Sequence, residues 1–462
     1  MRKLILLLFL LPFICEAQNY TDDSLFIHKL SVSILSSDAL YNNLHFLTKN
    51  IGGRLAGSPQ MVMAEHWGEK AMKDAGAQTV TAQECNVPHW VRGGKDKASV
   101  TYQSKDGKKQ TYTLNILALG NSIGTGIKGI RAPLIRVNDW DELEKKKDEL
   151  KGKIVFYNNP FDDSLVNPFD AYGKYVMYRG FGADRAAKYG ALAVVIRSMT
   201  NTPGNNYPHT GALRYADSSK AIPAAAMGLL DVKKLDSLFD NNTMVSASLH
   251  TYGKMFPDTI GHNIIGEIKG SEHPEQIITI GGHLDSWDPA EGANDDGTGV
   301  VQTLEVLRAL TAMNYHPKHT IRFVLFANEE NGTRGAKKYA DEARQKGETH
   351  LFALESDNGG FTPRGFRFEL DSNSNVWQKL NAWKPLFTPY DGDSFIKGES
   401  GSDVGYLKDL HAILAGLNPD SQRYFYIHHA ATDTFENVDI RETKLGAINM
   451  AALVYLVDKY GL

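Results

Sequence analysis

Three features that would indicate other classes of protein are scarce in the sequence. It has two cysteines among 462 residues, too few for a disulfide-stapled fold or a thiolate metal cluster. Its formal net charge is only −4, so nothing favours nucleic acid or an anionic membrane as a partner. It has no low-complexity tract, and beyond its first residues no apolar run is long enough to cross a bilayer. The remaining composition is typical of a globular protein of two or three domains.

The first residues, MRKLILLLFLLPFICEAQ, have the pattern of a secretory signal peptide. A basic pair precedes an apolar core, and Cys15 and Ala17 are small residues before a cleavage site. A membrane anchor is one alternative, although the run is short for a span, and a lipid-modified Cys15 is another. We expect residues 1–17 to be removed and the protein to be secreted or periplasmic. The mature chain then keeps Cys85 alone, which excludes an internal disulfide.

The hydrophobic pattern divides the remaining chain into three parts. Helical patterns extend to about Gly76, and a β-rich pattern begins at about Thr79; we assign residues 18–95 to the N-terminal part of the main domain. Short apolar runs bounded by glycine, proline or asparagine predict a β-rich insert over residues 96–257. Strands alternate with helices over residues 258–462. This alternation predicts an α/β domain with a mixed, largely parallel sheet flanked by helices.

Acidic and imidazole side chains follow several strands predicted in the last part of the chain. In chain order they are His283 and Asp285 in HLDSWD, Asp295 in GANDDGTG, Glu329 and Glu330 in FANEENG, Asp357 in ESDNGG, and His428, His429 and Asp433 in YIHHAATD. Ligands of open α/β sheets bind beyond the carboxyl ends of the strands. Taken singly, each residue is more often part of a turn, a solvated loop or a packed core. Their joint occurrence at strand ends predicts one shared site.

A cluster of carboxylates repels itself unless cations compensate the charge. Histidine and carboxylate ligands without sulfur suit zinc, and two zinc ions about 3.5–4 Å apart can share a carboxylate and a water molecule. That water becomes hydroxide near neutral pH, and a carboxylate that binds no metal can take its proton. If the chain leaves its strand at Asn328, Glu329 and Glu330 can serve one site as base and ligand. We therefore predict two Zn²⁺ per chain.

These segments resemble the co-catalytic zinc exopeptidase family that includes bacterial leucyl aminopeptidases and glutamate carboxypeptidases. GGHLDSWD, GANDDGTG, FANEENGTRGAKKYA, LESDNGGF and YFYIHHAATDT match its five ligand-bearing segments in order. The sequences of these segments are most similar to those of the plasma glutamate carboxypeptidases. The resemblance implies the zinc exopeptidase fold, a peptide substrate and a possible homodimer. It also implies that residues 96–257 are similar to a protease-associated domain beside or over the active-site cleft.

The resemblance implies a role for each residue of the predicted site. The metal ligands it implies are His283, Asp295, Glu330, Asp357 and His429. Asp295 would bridge the two ions, Glu329 would be the general base, and Asp285 would hold the His283 imidazole. His428 is the rival of His429 as the last ligand. In relatives the peptide bond after the bridging aspartate is cis, so we expect a cis Asp295–Asp296 bond.

The sequence leaves the exact activity open. The leading hypothesis is a secreted dinuclear zinc exopeptidase that hydrolyses short peptides or dipeptides with free ends through a metal-bridging hydroxide. An aminopeptidase acting on longer peptides shares the metal chemistry and reads the other terminal charge. A non-catalytic ectodomain and a one-zinc cyclase are disfavoured, because every ligand and the base are present. Ser402 and Asp403 are candidates to line the substrate pocket, and Asn19, Asn241 and Asn331 begin N-x-T sequons.

Overall fold

The computed structural model describes residues 20–202, 204–241, 243–370 and 374–462. The predicted signal peptide, residues 1–17, lies outside these described residues. The strands are β1 (Thr79–Val91), β2 (Lys97–Gln103), β3 (Lys109–Leu114), β4 (Ile116–Ala118), β5 (Ile130–Val137), β6 (Ile154–Tyr157), β7 (Ala193–Arg197), β8 (Ala224–Met227), β9 (Ser246–His250), β10 (Lys254–Ile268), β11 (His273–His283), β12 (His319–Phe326), β13 (Thr349–Glu355), β14 (Pro363–Glu369), β15 (Ser394–Lys397) and β16 (Ile413–Pro419).

The helices surround the two sheets that these strands form. They are α1 (Thr21–Leu35), α2 (Ala39–His45), α3 (Pro59–Asp74), α4 (Trp140–Lys145), α5 (Pro168–Ala187), α6 (Leu229–Asp240), α7 (Thr298–Ala312), α8 (Arg334–Lys346), α9 (Ser374–Phe387), α10 (Tyr424–Ile427) and α11 (Ile440–Tyr460). Short 3₁₀ turns occur at Lys147–Glu149, Ser218–Lys220, Thr388–Tyr390, Val404–Leu410 and Phe435–Asn437. The chain also makes wider turns at Phe46–Ile51 and Ala293–Gly297.

The first sheet has the strand order β1-β10-β12-β11-β13-β16-β14-β15. Its four central strands, β12, β11, β13 and β16, are parallel. Antiparallel β10 and β14 pair with the two sides of this centre. The sheet is therefore mixed with a parallel core, as the sequence predicts, and the carboxyl ends of the four central strands meet at one edge.

The parallel core is buried on both faces, which explains the continuous apolar run of β12. Phe323 and Leu325 point into the main core, which also contains residues of α7 and α11. Val324 and Phe326 point to the opposite face and pack with Tyr339 of α8. Alternate side chains of one strand are thus fixed from two sides, which leaves no freedom in register. The loops beyond the strand ends start from fixed positions.

Helix α3 confirms the start signal in its sequence. The Ser58 hydroxyl accepts a hydrogen bond of 3.1 Å from the N–H of Met61, and Pro59 occupies the first helical position. Beyond the helix, Gly76 has a φ of 99°, a conformation that favours glycine. Both ends of α3 therefore lie where the local sequence predicts them.

The second sheet lies within residues 97–250 and has the order β3-β2-β9-β5-β6-β7-β8-β4. Strands β5 to β8 are parallel, and the remaining pairs are antiparallel. This part of the chain contains more helix than its β-rich pattern predicts. Helix α5 begins at Pro168, where the Asn167 side chain caps it by accepting from Phe169 N–H at 3.2 Å.

A long antiparallel ribbon of β1 and β10 connects the two sheets. It runs from the pair Thr79–Glu267 to the pair Val91–Lys254, with a register shift between Val87 and His89. The ribbon begins before the predicted boundary at residue 257, so β10 continues from one part of the chain into the next. The two sheets are joined by paired strands in place of a loose linker.

We call the part of the chain that forms the first sheet the first domain, and residues 97–250, which form the second sheet, the second domain. The loop before the core of the second sheet packs closely on the first domain. Gly120 lies against the indole ring of Trp287, in a position where an added Cβ would overlap the ring. Trp287 packs with Trp90 and Leu55 in a small apolar cluster. The indole N–H of Trp90 donates to the carbonyl of Ser122 at 2.8 Å. The absence of a side chain at Gly120 allows the two domains to approach here.

The helices that the structure describes include none of the length and apolarity that a membrane span requires. Cys85, on β1, is buried and has a free thiol. Burial raises the pKa of this thiol to about 12. Cys85 is therefore a packing residue with an unreactive thiol.

Two glycine-to-alanine substitutions should change stability in opposite directions. Gly120→Ala should lower stability by about 1–3 kcal/mol, because its Cβ would collide with Trp287 at the domain contact. Gly173→Ala in α5 should raise stability by about 0.5–1 kcal/mol, because its Cβ meets no atom within 4 Å and alanine favours helix. Urea unfolding followed by tryptophan fluorescence measures both. An unchanged midpoint for Gly120→Ala would contradict the close contact.

Candidate metal centre

The strand ends of the first sheet bring the predicted site residues together. Strand β11 ends at His283, and β12 ends three residues before Glu329. Strand β13 ends two residues before Asp357, and α10 ends two residues before His429. Because β11, β12 and β13 are parallel neighbours, their following residues reach the same edge. The site is thus a consequence of the order of strands in the sheet.

Asp295 lies at the centre of this group and contacts both halves of it. Its Oδ1 atom is 3.2 Å from His283 Nε2, and the same nitrogen is 3.2 Å from Asp357 Oδ1. Its Oδ2 atom is 3.3 Å from His429 Nε2, which is 3.1 Å from Glu330 Oε2. Each half therefore has one histidine, one carboxylate and one oxygen of Asp295. This is the arrangement that a bridging carboxylate between two cations requires.

The two adjacent histidines differ in their distance from the group. His428 Nε2 is 3.9 Å from Asp295 Oδ2, whereas His429 Nε2 approaches both Asp295 and Glu330 more closely. The two rings stack with centroids 3.6 Å apart. This geometry favours His429 as the ligand and leaves His428 beside it, although both stay predictions.

The turn after β12 explains why the sequence has two adjacent glutamates. The strand ends at Phe326, and Asn328 has a φ of 67°, so the chain leaves the strand geometry before Glu329. The N–H groups of Glu329 and Glu330 both donate to the Asp285 carboxylate, at 2.9 and 3.3 Å. Glu330 is buried, and Glu329 is partly exposed. The turn therefore allows both glutamates to serve one site.

Asp285 has a different contact from the one that the resemblance implies. His283 Nδ1 is 3.0 Å from the main-chain carbonyl of Asp285 and 3.8 Å from the nearer carboxylate oxygen. The carbonyl is thus the atom at hydrogen-bond distance from the imidazole. The carboxylate instead fixes the turn that carries Glu329 and Glu330.

The Asp295–Asp296 peptide bond is cis, which confirms the expectation drawn from the resemblance. Two carboxylates fix the main chain around it. Asp433 accepts from the N–H groups of Asn294 and Asp295 at 2.7 and 3.1 Å. Asp296 accepts from the N–H of His283 at 3.0 Å. Asp433 and Asp296 thus hold the central carboxylate in place through the backbone.

A buried arginine that the sequence analysis missed lies beneath the acids. Arg54 has no exposed surface. Its guanidinium donates to the main-chain carbonyls of Leu284, Glu291 and Gly292. Burial lowers the pKa of the Arg54 guanidinium, and Asp433 is the acid that opposes this lowering most strongly. Arg54 therefore supplies a fixed positive charge to a region that is rich in carboxylates.

Burial changes the protonation of the site residues. It raises the pKa of Glu330 to about 8, an effect that the charge of Asp295 increases. It raises the pKa of Asp357 to about 6. For His429, burial lowers the pKa, but Glu330 and Asp295 outweigh it and raise the value to about 9. Zinc binding at these residues would favour their deprotonated forms, so zinc affinity should depend on pH.

The donor set fits zinc. Imidazole nitrogens and carboxylate oxygens from five residues lie close together, without sulfur. Glu330 Oε1 is buried and has no hydrogen-bond partner in the described part of the chain. A buried carboxylate oxygen without a partner is costly, and a cation would remove that cost. Trp287 and Ala290 line a small cleft that opens onto Asp295, Glu330 and His429.

Two further acids, Asp403 and Glu355, are buried near the site, and the sequence analysis named only Asp403. Asp403 is buried, and neither of its carboxylate oxygens has a partner among the described residues. Its N–H donates to Glu355 Oε2 at 3.0 Å, and burial raises the pKa of Glu355 to about 8. Ser402 is exposed. Of the two pocket candidates, Asp403 is therefore a buried neighbour of the site and Ser402 lies at the surface.

Known proteins are similar to this chain in sequence and in fold. The model of peptidase family M28 matches residues 263–455. Carboxypeptidase Q of Mus musculus is 32% identical over 96% of this chain and 90% of its own length, and that of Xenopus laevis is 33% identical with the same coverage. A peptidase M28 precursor from Shewanella amazonensis has a TM-score of 0.88 at 30% identity, covering 95% of this chain and 97% of its own.

A zinc aminopeptidase from Bacillus subtilis has a TM-score of 0.63 at 20% identity, covering 90% of this chain and 94% of its own. At that identity the likeness concerns the fold alone. The relatives of higher identity extend over both sheets and over every segment that carries a predicted ligand. The chain therefore belongs to peptidase family M28 and is a zinc-dependent exopeptidase.

Proposed function

We propose that the protein is a dinuclear zinc exopeptidase that hydrolyses short peptides or dipeptides with free ends. The observation that carries the proposal is the position of Asp295, with one oxygen 3.2 Å from His283 Nε2 and the other 3.3 Å from His429 Nε2. Asp357 would complete one ligand group and Glu330 the other. Bound zinc would supply the Lewis acidity that activates a water molecule and polarises the scissile carbonyl.

Glu329 is the residue we assign to proton transfer. It is adjacent to the ligand Glu330, and its N–H is fixed on Asp285 at 2.9 Å. Its carboxylate has no ion pair with the residues that the structure describes, and the residue is partly exposed. It is therefore available to take a proton from the attacking water and to deliver it to the leaving amide nitrogen. Asp285 holds this turn in position.

Similarity over nearly the whole chain supports action on short peptides with free ends. The carboxypeptidase Q relatives match 96% of this chain, whereas leucine aminopeptidase 2 of Arthroderma otae matches 42%. An aminopeptidase on longer peptides remains the second candidate, because it uses the same ligands and base. The two activities differ in the terminal charge that the cleft recognises.

We further propose that residues 96–257 act as a protease-associated-like domain that limits access to the site, and that residues 18–95 and 258–462 form the peptidase domain. The contact of Gly120 with Trp287, which lines the cleft, supports this. Secretion or export to the periplasm after removal of residues 1–17 is part of the proposal. A homodimer stays a prediction.

Replacing Glu329 should separate catalysis from metal binding. Glu329→Gln keeps the shape of the side chain and removes the base, so kcat should fall by about 10²–10⁴-fold. The zinc content should stay at that of the wild type, because Glu329 is not one of the assigned ligands. A dipeptide hydrolysis assay and elemental analysis measure the two quantities. A normal turnover rate would show that the base is another residue.

Replacing Asp295 should instead reduce zinc binding, and activity should fall as a consequence. Asp295→Ala removes the shared ligand, so zinc content should fall below the wild-type value after gel filtration, and activity should fall with it. Elemental analysis of wild type, Asp295→Ala and Glu329→Gln, purified together, gives the comparison. Wild-type protein with less than one zinc per chain and no activity after zinc addition would overturn the dinuclear proposal.

A set of three substrates should identify the terminal charge that is read. A free dipeptide, its N-blocked form and its C-terminal amide differ only at their ends. We expect kcat/KM to fall roughly 10- to 100-fold for the amide, since a charge-assisted hydrogen bond is lost. Hydrolysis of the amide at the rate of the free dipeptide, together with failure of the N-blocked form, would instead identify an aminopeptidase.

A further inference from the structure

We propose that the second domain positions the metal ligand His429 through a clamp formed by Asn205, His209 and Thr210. The clamp holds residues 426–429, here called the ligand turn, and metal binding by His429 and Glu330 depends on it. The inference rests on the proposed function in taking His429 as a zinc ligand. It adds that residues of the second domain hold in position the half of the site that contains His429 and Glu330.

Thr210 contacts His429 twice through its main chain. Its N–H donates to the carbonyl of His429 at 2.9 Å, and its carbonyl is 3.3 Å from His429 Nδ1. The other ring nitrogen, Nε2, faces Glu330 and Asp295. A metal-binding Nε2 carries no hydrogen, so the hydrogen of the neutral ring is on Nδ1 and donates to Thr210. Such a partner fixes both the tautomer and the orientation of a ligand histidine.

His209 holds the preceding residue. It is 1% exposed, and its Nδ1 is 2.7 Å from the carbonyl of His428. Since a carbonyl only accepts, Nδ1 carries the hydrogen and Nε2 is an acceptor. Asn205 Nδ2 lies 3.5 Å from that Nε2 and 3.5 Å from the carbonyl of Tyr426. The three clamp residues therefore bond to the ligand turn with one consistent set of donors and acceptors.

The clamp is anchored in the second sheet. The N–H of His209 donates to the Ser198 hydroxyl at 2.9 Å, and this hydroxyl donates to the carbonyl of Met227 at 2.8 Å. Ser198 directly follows β7, and Met227 is the last residue of β8. The position of His209 is thus set by two paired strands. A rigid support of this kind is what a positioning residue needs.

The ligand turn needs support from outside its own segment. Helix α10 has four residues and ends at Ile427, and His429 has a φ of 58°. A left-handed conformation is unfavourable for a residue with a side chain. His283, the ligand of the other group, belongs to a strand paired on both sides. The need for a clamp is therefore specific to the half of the site that contains His429.

A neighbouring arginine does not replace Thr210 as the partner of His429. Arg179 Nη1 is 3.3 Å from His429 Nδ1, but a guanidinium has only donors and cannot accept the imidazole hydrogen. Arg179 Nη1 donates to the carbonyl of Thr210 at 3.4 Å, and Arg179 Nη2 donates to the Tyr172 hydroxyl at 2.5 Å. Arg179 thus contributes to holding the Thr210 carbonyl, which is the acceptor available to His429.

The test compares three variants with the wild type. His209→Leu removes the donor to His428 and should weaken binding of one zinc ion about 10- to 100-fold, while the other ion is retained. His209→Asn places an amide donor near the position of Nδ1 and should restore binding. Gln422→Ala is the matched control. The Gln422 side chain, in the first domain, donates to the carbonyl of Val166, in the second domain, at 2.8 Å. This contact joins the same two domains but lies at an exposed position. The control variant should bind zinc like the wild type.

Zinc affinity is measured by competition with a chelator, and a second readout needs no metal. Hydrogen–deuterium exchange over residues 424–433 of the metal-free protein should be faster in His209→Leu than in the wild type and in Gln422→Ala. If His209→Leu does not fold, Asn205→Ala replaces it, since Asn205 is only partly buried. Its effect should be smaller and in the same direction.

Wild-type zinc affinity and exchange in His209→Leu, or in Asn205→Ala where that variant replaces it, would overturn the clamp. An equal loss of affinity in Gln422→Ala would also overturn it, because the effect would then belong to the domain contact in general. These outcomes differ from failure of the proposed function. That failure would appear as wild-type protein without zinc, whereas the difference in exchange between variants would remain.

Discussion

The structure depends on the compensation of negative charge in the interior of the first domain. Asp285, Asp295, Asp296, Glu330 and Asp433 are all buried at the end of one sheet. Main-chain N–H groups satisfy part of this charge, and Arg54 satisfies another part from below. The remaining negative charge lies on the carboxylate oxygens on either side of Asp295. Cations are the natural complement, since carboxylates this close cannot all stay ionised without them.

His283, Glu329 and Asp357 can be placed together from the sequence because each follows a central strand closely, whereas Asp295 lies in a separate turn and His429 follows the short helix α10. Parallel strands bring their ends to one edge whatever lies between them, so His283, Glu329 and Asp357 meet without any knowledge of the loops. The turn at Asn328 is also accessible to sequence reasoning, since two adjacent acids need it. Arg54 was not accessible, because it is more than two hundred residues away from the carbonyls it contacts. A guanidinium near a glycine pair gives no local signal of that contact.

The second domain was the harder part to derive from its sequence. The segment that becomes α5 has several glycines and tyrosines, which weaken helix periodicity, and its cap at Asn167 decides where it begins. The contacts of His209 and Thr210 with the ligand turn join residues about 219 positions apart. No spacing rule predicts such pairs. They depend on the docking of two sheets, to which Gly120 and Trp287 also contribute.

The β1–β10 ribbon has a consequence for how this chain is assembled. Its last pair, Val91 and Lys254, places the entry and the exit of the second domain side by side, roughly 5 Å apart as in any antiparallel pair. A module joined at adjacent points can be exchanged or lost while the sheet beneath it keeps its pairing. The chain connectivity therefore allows the second domain to be replaced by another domain, although the proposed clamp makes the metal site depend on both domains.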